Sequence, residues 1–270
     1  MGSKRGYHLV PFTINRRMAA ASAAVCKERS TIHCLTEVDI TAPRRLMDAH
    51  REKTGETLSL TAYVVTCLAR AVAEQPAVNA FRRGNQLVLL DDVTISTLVE
   101  RELAGEKIPE PFGIVAAQNK SFRQIHDEIR NAQRATDQRL GGLSGSTWVR
   151  FIPSFLFKIF IRLASRSIVM VKRFGTIGVT AVGMFGHQAS WFVPVSASTV
   201  AVTVGSIVTR PVLDSGQVQA REHLCLTISF DHDVVDGAPA ARLVRHLAEL
   251  IASGDALRAE DGTRKPESGD

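Results

Sequence analysis

Aromatic residues are scarce in this chain of 270 residues, which has only two Trp and two Tyr. Surfaces that bind carbohydrates or single-stranded nucleic acid by stacking are built from such side chains, so the composition argues against both kinds of partner. The chain shows no repeating sequence period, which argues against a solenoid or a propeller. With 45% hydrophobic and 22% charged residues, it has enough apolar side chains for one large core.

Cysteine and metal-binding patterns are equally sparse. The four cysteines are Cys26, Cys34, Cys67 and Cys225, and no two of them form a C-x-x-C pair. Neither a zinc site nor a dithiol redox motif is therefore predicted. The eight histidines are scattered, without an H-x-x-x-H or H-E-x-x-H pattern, so we expect no metal. Because the N-terminal residues are basic and polar rather than an apolar signal segment, we expect a cytoplasmic location.

The charge balance indicates little by itself. Lys and Arg outnumber Asp and Glu by 33 to 27, which gives a formal net charge of +6. That excess suits a polyanionic ligand such as a nucleotide. The basic residues are spread along the chain, and no helix-turn-helix, zinc-finger or RNA-binding motif is present, so we expect no nucleic-acid partner.

Hydrophobic periodicity predicts a mixture of helices and strands. Helices are expected at residues 13–27, 41–53, 60–74, about 121–138 and 238–253, and strands at 33–40, 86–90, 93–99, 112–117 and 229–234. Residues 100–111 contain Gly105, Pro109 and Pro111 and are interpreted as a loop. Residues 254–270 have almost no large apolar side chains, which predicts a disordered tail after a single domain of residues 1–253. Since strands and helices do not alternate regularly, the predicted fold class is α+β.

One apolar segment, Trp148–Ala164, has three interpretations. It is too short to cross a bilayer comfortably and is interrupted by Arg150, Pro153 and Lys158. The favoured interpretation is a helix of the core or of a subunit interface. A wall for a hydrophobic acyl chain comes second, and a membrane-surface helix that is basic on one face comes third. The sequence leaves all three open.

The sharpest chemical motif is the run Asp231-His232-Asp233-Val234-Val235-Asp236-Gly237. An apolar, β-rich stretch precedes it and a helical pattern follows it. We therefore expect His232 at the end of a strand, where it can be held rigidly beside a cleft. Asp236 can tie down the turn by pairing with a cation, and Gly237 permits tight backbone geometry. A surface turn with a solvated histidine would have the same spacing.

This run and much of the chain resemble the catalytic domain of the dihydrolipoamide acyltransferases, the E2 components of 2-oxo acid dehydrogenase complexes. The family pattern D-H-R-x-x-D-G-A-x-A-A-R is matched by Asp231, His232, Asp236, Gly237, Ala238, Ala240, Ala241 and Arg242, with Asp233 in place of the usual arginine. A second block, residues 178–186, resembles the family's T-x-S-N-x-G-M-F-G and puts Thr180 at the family's hydroxyl position. The resemblance covers residues 10–253. It implies a chloramphenicol-acetyltransferase-like, two-layer domain with a mixed β-sheet and flanking helices, which forms trimers.

The resemblance implies coenzyme A-dependent acyl transfer, and the chemistry of these residue types agrees. A thiol with a pKa of about 8.5 is mostly protonated at neutral pH, so its attack on a thioester needs a base such as histidine. His232 would remove the proton, and the Thr180 hydroxyl would stabilise the oxyanion. In the family these two groups come from adjacent subunits of a trimer. Asp236 would be structural and would pair with an arginine, for which Arg44 and Arg45 are the candidates.

Three departures from the family define the alternatives. No lipoyl domain, subunit-binding domain or Ala/Pro linker precedes the matching region, so no covalently attached lipoyl group is expected on this chain. Residues 98–106 replace a family segment that shapes the substrate channel, and residues 140–175 are longer and more apolar than usual. We therefore expect a stand-alone acyltransferase that forms a free homotrimer and uses a changed acceptor, such as a carrier-protein thiol, an amine or an alcohol. The alternatives are an E2 core whose lipoyl domain is on another chain and a non-catalytic scaffold or assembly protein.

Overall fold

The computed structural model describes residues 7–103, 106–134, 154–182 and 188–258. Its helices are α1 (Ile14–Cys26), α2 (Thr41–Thr54), α3 (Leu60–Ala73), α4 (Phe122–Arg134), α5 (Ser154–Ala164), α6 (Ile168–Phe174), α7 (Gly237–Ser253) and α8 (Asp255–Arg258). Its strands are β1 (Thr31–Asp39), β2 (Ala80–Arg83), β3 (Gln86–Leu89), β4 (Ile95–Leu103), β5 (Glu106–Ile114), β6 (Ile177–Ala181), β7 (Val200–Asp214) and β8 (Gln217–Asp231).

One mixed sheet of six strands forms the centre of the fold, in the order β1-β8-β7-β6-β4-β5. The pairs β4–β6 and β6–β7 are parallel, whereas β1–β8, β7–β8 and β4–β5 are antiparallel. Strands β2 and β3 form a separate hairpin. A mixed sheet with helices packed against it belongs to the α+β class, so the fold class predicted from the sequence is confirmed.

The hydrophobic core lies between one face of this sheet and the helices. Helix α3 is apolar on all sides and is buried on all sides, with Tyr63 and Leu68 fully inaccessible to solvent. Helix α7 adds Leu243 and Leu247 to the same core. Alternate residues of the central strands meet these helices, as the two-residue period of a strand requires. These strand residues are Val200, Val202, Val204, Leu224, Leu226, Ile228 and Phe230.

The segment at residues 188–198 crosses the opposite face of the sheet. Its Ser190 N–H donates to Ser206 Oγ at 2.8 Å, and Trp191 Nε1 donates to the carbonyl oxygen of Thr36 at 3.0 Å. A Cβ added to Gly205 would come 2.2 Å from the Ser190 carbonyl oxygen. The close approach of the segment to the sheet therefore requires glycine at this position.

The structure corrects the loop that the sequence predicts at residues 100–111. Strand β4 continues to Leu103 and β5 begins at Glu106, and in this antiparallel hairpin Leu98 lies opposite Pro111. Strand β5 is at the edge of the sheet. Proline cannot donate an N–H to a ladder, but an edge strand tolerates it. For that reason Pro109 and Pro111 do not end the strand.

The structure also corrects the start of the disordered tail expected at residues 254–270. Gly254 ends α7 in the left-handed conformation, with φ of 74°, and α8 follows directly. Ala256 and Leu257 are buried in the main core. Two apolar side chains are enough to dock one helical turn, and the polar composition of the whole stretch hides them. Residues 259–270 lie outside the described residues.

The loop between α2 and α3 is tied to α4 by a carboxylate. Arg123 Nη1 donates to Glu56 Oε2 at 2.7 Å, and His50 Nε2 lies 3.2 Å from the same oxygen. The Arg123 hydrogen bond outweighs partial desolvation and, with the His50 contact, lowers the pKa of Glu56 to about 2. Just before Arg123, Ser121 and Gln124 bond to each other's backbone N–H groups as a capping box. The helix start predicted at Ser121 is therefore confirmed.

Helix α5 is the described part of the apolar segment Trp148–Ala164, whose residues 148–153 lie outside the described residues. Phe157 is buried against Ala21 of α1, and Ile161 packs beside them. The large apolar side chains Phe155, Leu156, Ile159, Phe160 and Leu163 are exposed. One side of the helix is thus packed and the other is open. None of the described helices combines the length and the apolar composition that crossing a bilayer requires.

Candidate functional site

The loop that carries His232 follows the end of β8 and is fixed by backbone hydrogen bonds. The Val235 N–H donates to the carbonyl oxygen of Asp231 at 2.9 Å, and the His232 N–H donates to the carbonyl oxygen of Ser30 at 2.7 Å. Val235 is buried, whereas His232 is exposed. The loop therefore has a fixed backbone, and it presents an imidazole that a substrate can reach.

Arg29 holds the same loop through an ion pair that the motif does not contain. Its Nη1 lies 2.5 Å from Asp231 Oδ2, and the Asp231 side chain is only 7% exposed. Asp231 Oδ1 accepts from the Asp233 N–H at 3.2 Å, so both carboxylate oxygens have donors. The only signal for Arg29 in the sequence is its place just before β1. Because the register sets Thr31 opposite Asp231, the side chain of Arg29 comes within reach of the Asp231 carboxylate.

Asp233, the residue that replaces the family's arginine, faces the β2–β3 hairpin. Its Oδ2 accepts from Arg82 Nη1 at 2.9 Å, and Arg82 Nε donates to the carbonyl oxygen of Gly84 at 3.1 Å. Arg82 and Asp233 line an open cleft together with Leu87 and two amide side chains of the hairpin. The charge at position 233 is thus opposite to the family's, and an arginine from another strand balances it.

Thr180 lies far from His232 within one chain. It is half-buried in β6, opposite Thr203 of β7, which in turn is opposite Thr227 of β8. His232 comes five residues after Thr227. With strands about 4.8 Å apart and a rise of about 3.3 Å per residue, Thr180 and His232 are about 19 Å apart. One chain therefore does not bring its own two candidate catalytic groups together. Residues 183–186 of the block after Thr180 lie outside the described residues.

The structure contradicts the pairing of Asp236 with Arg44 or Arg45. Arg44 Nε instead lies 3.5 Å from Glu222 Oε2, and Arg45 is exposed. Glu222 precedes Asp231 by nine residues along β8, a distance of about 30 Å. The physical reason is topological: α2 begins at the end of β1 that is remote from the loop, so its first turn cannot reach Asp236.

Asp236 and Gly237 mark the start of α7. Asp236 is exposed, and its carboxylate neither caps the helix nor pairs with a cation in the described ranges. A Cβ added to Gly237 would meet no described atom within 4 Å, and the φ of Gly237 is not positive. The expectation that Gly237 serves a tight backbone turn is therefore wrong, because neither space nor backbone conformation demands glycine there.

A family model matches most of the chain. It is described as the catalytic domain of the 2-oxoacid dehydrogenases acyltransferase, and it matches residues 5–147 and 172–258. These ranges include β6 with Thr180 and the loop with His232. Residues 148–171, which contain α5, fall between the two matched ranges.

Curated relatives of the chain belong to the same family. The dihydrolipoyllysine-residue succinyltransferase component of the 2-oxoglutarate dehydrogenase complex of Staphylococcus saprophyticus is 25% identical over 262 residues, covering 92% of this chain and 53% of that protein. The lipoamide acyltransferase component of the branched-chain alpha-keto acid dehydrogenase complex of Bacillus subtilis is 26% identical over 262 residues, covering 94% and 54%. The chain spans about half the length of these curated relatives.

Solved structures share the fold. The cubic core of the pyruvate dehydrogenase multienzyme complex has a TM-score of 0.70 at 20% identity and covers 94% of this chain and 95% of its own. A probable dihydrolipoamide acetyltransferase from Listeria monocytogenes has a TM-score of 0.68 at 22% identity and covers 98% of both chains. Together with the family match over most of its residues, this fold shows that the chain belongs to the 2-oxoacid dehydrogenase acyltransferase family and contains that family's catalytic domain.

Proposed function

We propose that this protein transfers acyl groups to or from coenzyme A, with His232 as the general base. The observation that carries the proposal is the fixed loop, in which an exposed imidazole stands on a backbone held by Ser30 and by the Arg29–Asp231 ion pair. A thiol is mostly protonated at neutral pH, and a positioned histidine is the usual group that removes its proton.

The reaction needs one proton relay and one oxyanion donor. His232 takes the thiol proton, and the thiolate sulfur adds to the thioester carbonyl carbon to give a tetrahedral oxyanion. The carbon–sulfur bond to the departing thiol then breaks, and His232 returns the proton to that sulfur. The Thr180 hydroxyl donates to the oxyanion, the role in which loss of one donor costs about 10²–10³ in rate.

We infer that the active site forms between two subunits of a homotrimer. The support is the separation of about 19 Å between Thr180 and His232 within one chain, estimated from the strand register. Such a distance is too long for two groups that act on the same carbonyl. A symmetric oligomer in which His232 of one subunit meets Thr180 of the next removes the difficulty without any rearrangement of the fold.

The second substrate is proposed to be a dihydrolipoyl thiol. The curated relatives are named for acyl transfer on dihydrolipoyllysine or lipoamide in three kinds of 2-oxo acid dehydrogenase complex. A different acceptor, such as a carrier-protein thiol, an amine or an alcohol, is the second candidate. Residues 148–171 favour it, because they lie outside the match to the family model. A non-catalytic scaffold is disfavoured, since His232, Asp236 and Thr180 are all present together.

The test is release of free coenzyme A from a panel of acyl-CoA thioesters, each offered dihydrolipoamide, an amine or an alcohol. His232→Ala is expected to lower the rate by about 10²–10⁴, because a general base is lost. The matched control is His223→Ala, which removes a histidine of β8 near the far end of β1. Its rate is expected to stay within about twofold of the wild type.

Two outcomes would reject the proposal. One is the absence of turnover with every donor and acceptor, together with no binding of coenzyme A. The other is turnover that His232→Ala and His223→Ala leave equally intact. The acceptor that supports the fastest release would decide between the dihydrolipoyl thiol and the second candidate.

A further inference from the structure

Helix α5 presents a continuous apolar stripe to solvent. Its members are Phe155, Leu156, Ile159, Phe160 and Leu163, which are 60%, 42%, 46%, 50% and 66% exposed. Soluble monomers rarely expose contiguous apolar patches of this kind, and such patches mark sites of interaction. The exposed stripe is therefore a candidate binding surface.

The arrangement of side chains around α5 is that of a helix lying at an interface. At about 100° per residue, the five exposed apolar residues span an arc of about 140°. Phe157 and Ile161 occupy the next arc and pack on α1. Lys158 and Arg162 occupy the third arc and border the exposed stripe. A basic edge beside an apolar stripe allows the long basic side chains to reach polar headgroups while the stripe enters the apolar layer.

The charge around this helix is mostly positive. No Asp or Glu occurs between Asp137 and Asp214. Helices α5 and α6 and their connection carry Lys158, Arg162, Arg166, Lys172 and Arg173. Of these, Arg162 is paired with Glu28 of the chain before β1. A surface that is apolar and mostly basic, with Glu28 already paired to Arg162, is complementary to anionic lipid headgroups.

Two other occupants fit less well. An acyl chain is bound in a concave groove, whereas the exposed residues of α5 form the convex side of a helix. A second copy related by a two-fold axis would bring the same basic edge against itself, which like charges oppose. The contact between subunits of the proposed homotrimer is inferred from the His232 loop and β6, not from α5. Residues 148–171, which include the stripe, lie outside the match to the family model.

We propose that α5 docks this protein onto the surface of a bilayer that contains anionic phospholipid. The stripe Phe155, Leu156, Ile159, Phe160 and Leu163 enters the boundary between headgroups and acyl chains, and Lys158 and Arg166 contact the headgroups. Near the C-terminal end of α5, Arg162 pairs with Glu28, the neighbour of Arg29 that holds the His232 loop. Docking by α5 therefore brings the loop end of the sheet towards the membrane. The proposal does not rest on the acyl-transfer function.

The test is sedimentation of the full chain with vesicles of phosphatidylcholine, with and without phosphatidylserine. The variant Ile159→Ser with Leu163→Ser is expected to bind the anionic vesicles about tenfold more weakly than the wild type. Lys158→Glu with Arg166→Glu is expected to weaken binding by at least about tenfold, and added salt should reduce wild-type binding as well.

The matched control is Leu213→Ser with Val218→Ser. These two aliphatic residues are each 73% exposed on the β7–β8 hairpin, outside α5. The control should bind vesicles as the wild type does, and thermal unfolding of all variants verifies that each is folded. The proposal also predicts that coenzyme A release from short-chain thioesters is unchanged in the α5 variants.

Three results would overturn the proposal. The first is no binding of the wild type to anionic vesicles, or equal binding to neutral ones. The second is a change of oligomeric state in Ile159→Ser with Leu163→Ser without any vesicle binding, which would make a second copy the occupant. The third is a loss of activity on long-chain thioesters alone, again without vesicle binding, which would make the stripe an acyl-chain wall.

Discussion

The loop after β8 and the middle of β6 each contribute one candidate catalytic group, and they do so in opposite ways. The loop holds its backbone by contacts to Arg29 and Ser30, just before β1, and leaves His232 exposed. Strand β6 holds Thr180 half-buried inside the sheet, between β4 and β7. The first region offers an exposed proton acceptor on a fixed backbone, and the second offers a hydroxyl held within the sheet.

The difference shows why neither region forms a site alone. Their separation of about 19 Å is set by strand spacing and register, so no side-chain rotation closes it. Bringing the two groups together within one chain would require breaking the sheet, whereas a symmetric oligomer requires only contact between existing surfaces. Variants in each region test this separation of the two groups, beginning with the largest expected loss of activity.

Replacing Thr180 by valine should remove the oxyanion donor while keeping the shape of the side chain. We expect the rate of coenzyme A release to fall by about 10²–10³, with the Michaelis constant for the thioester little changed. The matched control is Thr203→Val, the adjacent residue in the same row of the sheet, whose buried Oγ1 has no hydrogen-bond partner among the described residues. Equal losses in Thr180→Val and Thr203→Val would mean that the row is structural.

Replacing Arg29 by glutamine should affect the loop without touching substrate. Asp231 would lose the cation that compensates its burial, which costs about 3 kcal/mol in the free energy of unfolding. The turnover number should fall by about tenfold because the His232 backbone loses one of its supports. Chemical denaturation and steady-state kinetics measure the two effects separately.

Two further variants separate positioning by Arg29 from a general loss of stability. Arg29→Gln combined with Asp231→Asn should recover stability but not turnover, because the uncompensated charge is gone while the ion pair is still missing. Arg44→Gln removes the ion pair of the half-buried Arg44 with Glu222 at the far end of the sheet and should change turnover by less than about twofold. A large loss of turnover in Arg44→Gln would instead support the pairing of Arg44 with Asp236, which the structure contradicts.

The smallest effect is expected at Glu56, which lies in neither region and should alter stability alone. The pKa of Glu56 is about 2 in the folded protein, below its ordinary value of 4.5. A lowered pKa means that the stabilisation is present above pH 4.5 and is lost as the pH falls towards 2. Glu56→Gln should therefore lower the melting temperature at neutral pH and converge with the wild type near pH 2, and turnover at neutral pH should be unchanged. A constant difference across that pH range would assign the effect to packing.

The sequence predicted those parts of the structure that depend on local pattern. The apolar, β-rich stretch before Asp231 indicated the end of β8, the amphipathic pattern placed α7, and the Asp231–Gly237 run placed the loop between them. The strand expected at residues 229–234 ends at Asp231, and most of β8 lies before it. The hairpin at residues 100–111 escaped prediction because Pro109 and Pro111 are typical of a loop in the sequence alone. Whether a strand accepts proline depends on its place in the sheet, and β5 is an edge strand. Helix α8 was missed because two apolar residues do not alter the average composition of a polar stretch.

The parts of the site that escaped the sequence are those that depend on register. Arg29 contacts Asp231 across 202 positions of sequence, and Arg82 contacts Asp233 across 151. No spacing rule links such residues until the pairing of β1 with β8 is known. For the same reason Arg44 and Arg45 are wrong candidates for the partner of Asp236, since closeness to a family position along the chain does not give closeness in space.

The most direct test of the shared site is complementation between His232→Ala and Thr180→Val. The two chains are co-expressed with different tags, and mixed oligomers carrying both tags are purified and assayed for coenzyme A release. If each site joins His232 of one subunit to Thr180 of its neighbour, every trimer that carries both tags has one of its three sites with both groups intact, and activity should recover to about a third of the wild-type level. If mixed oligomers form but stay as inactive as either variant alone, the site between subunits is contradicted.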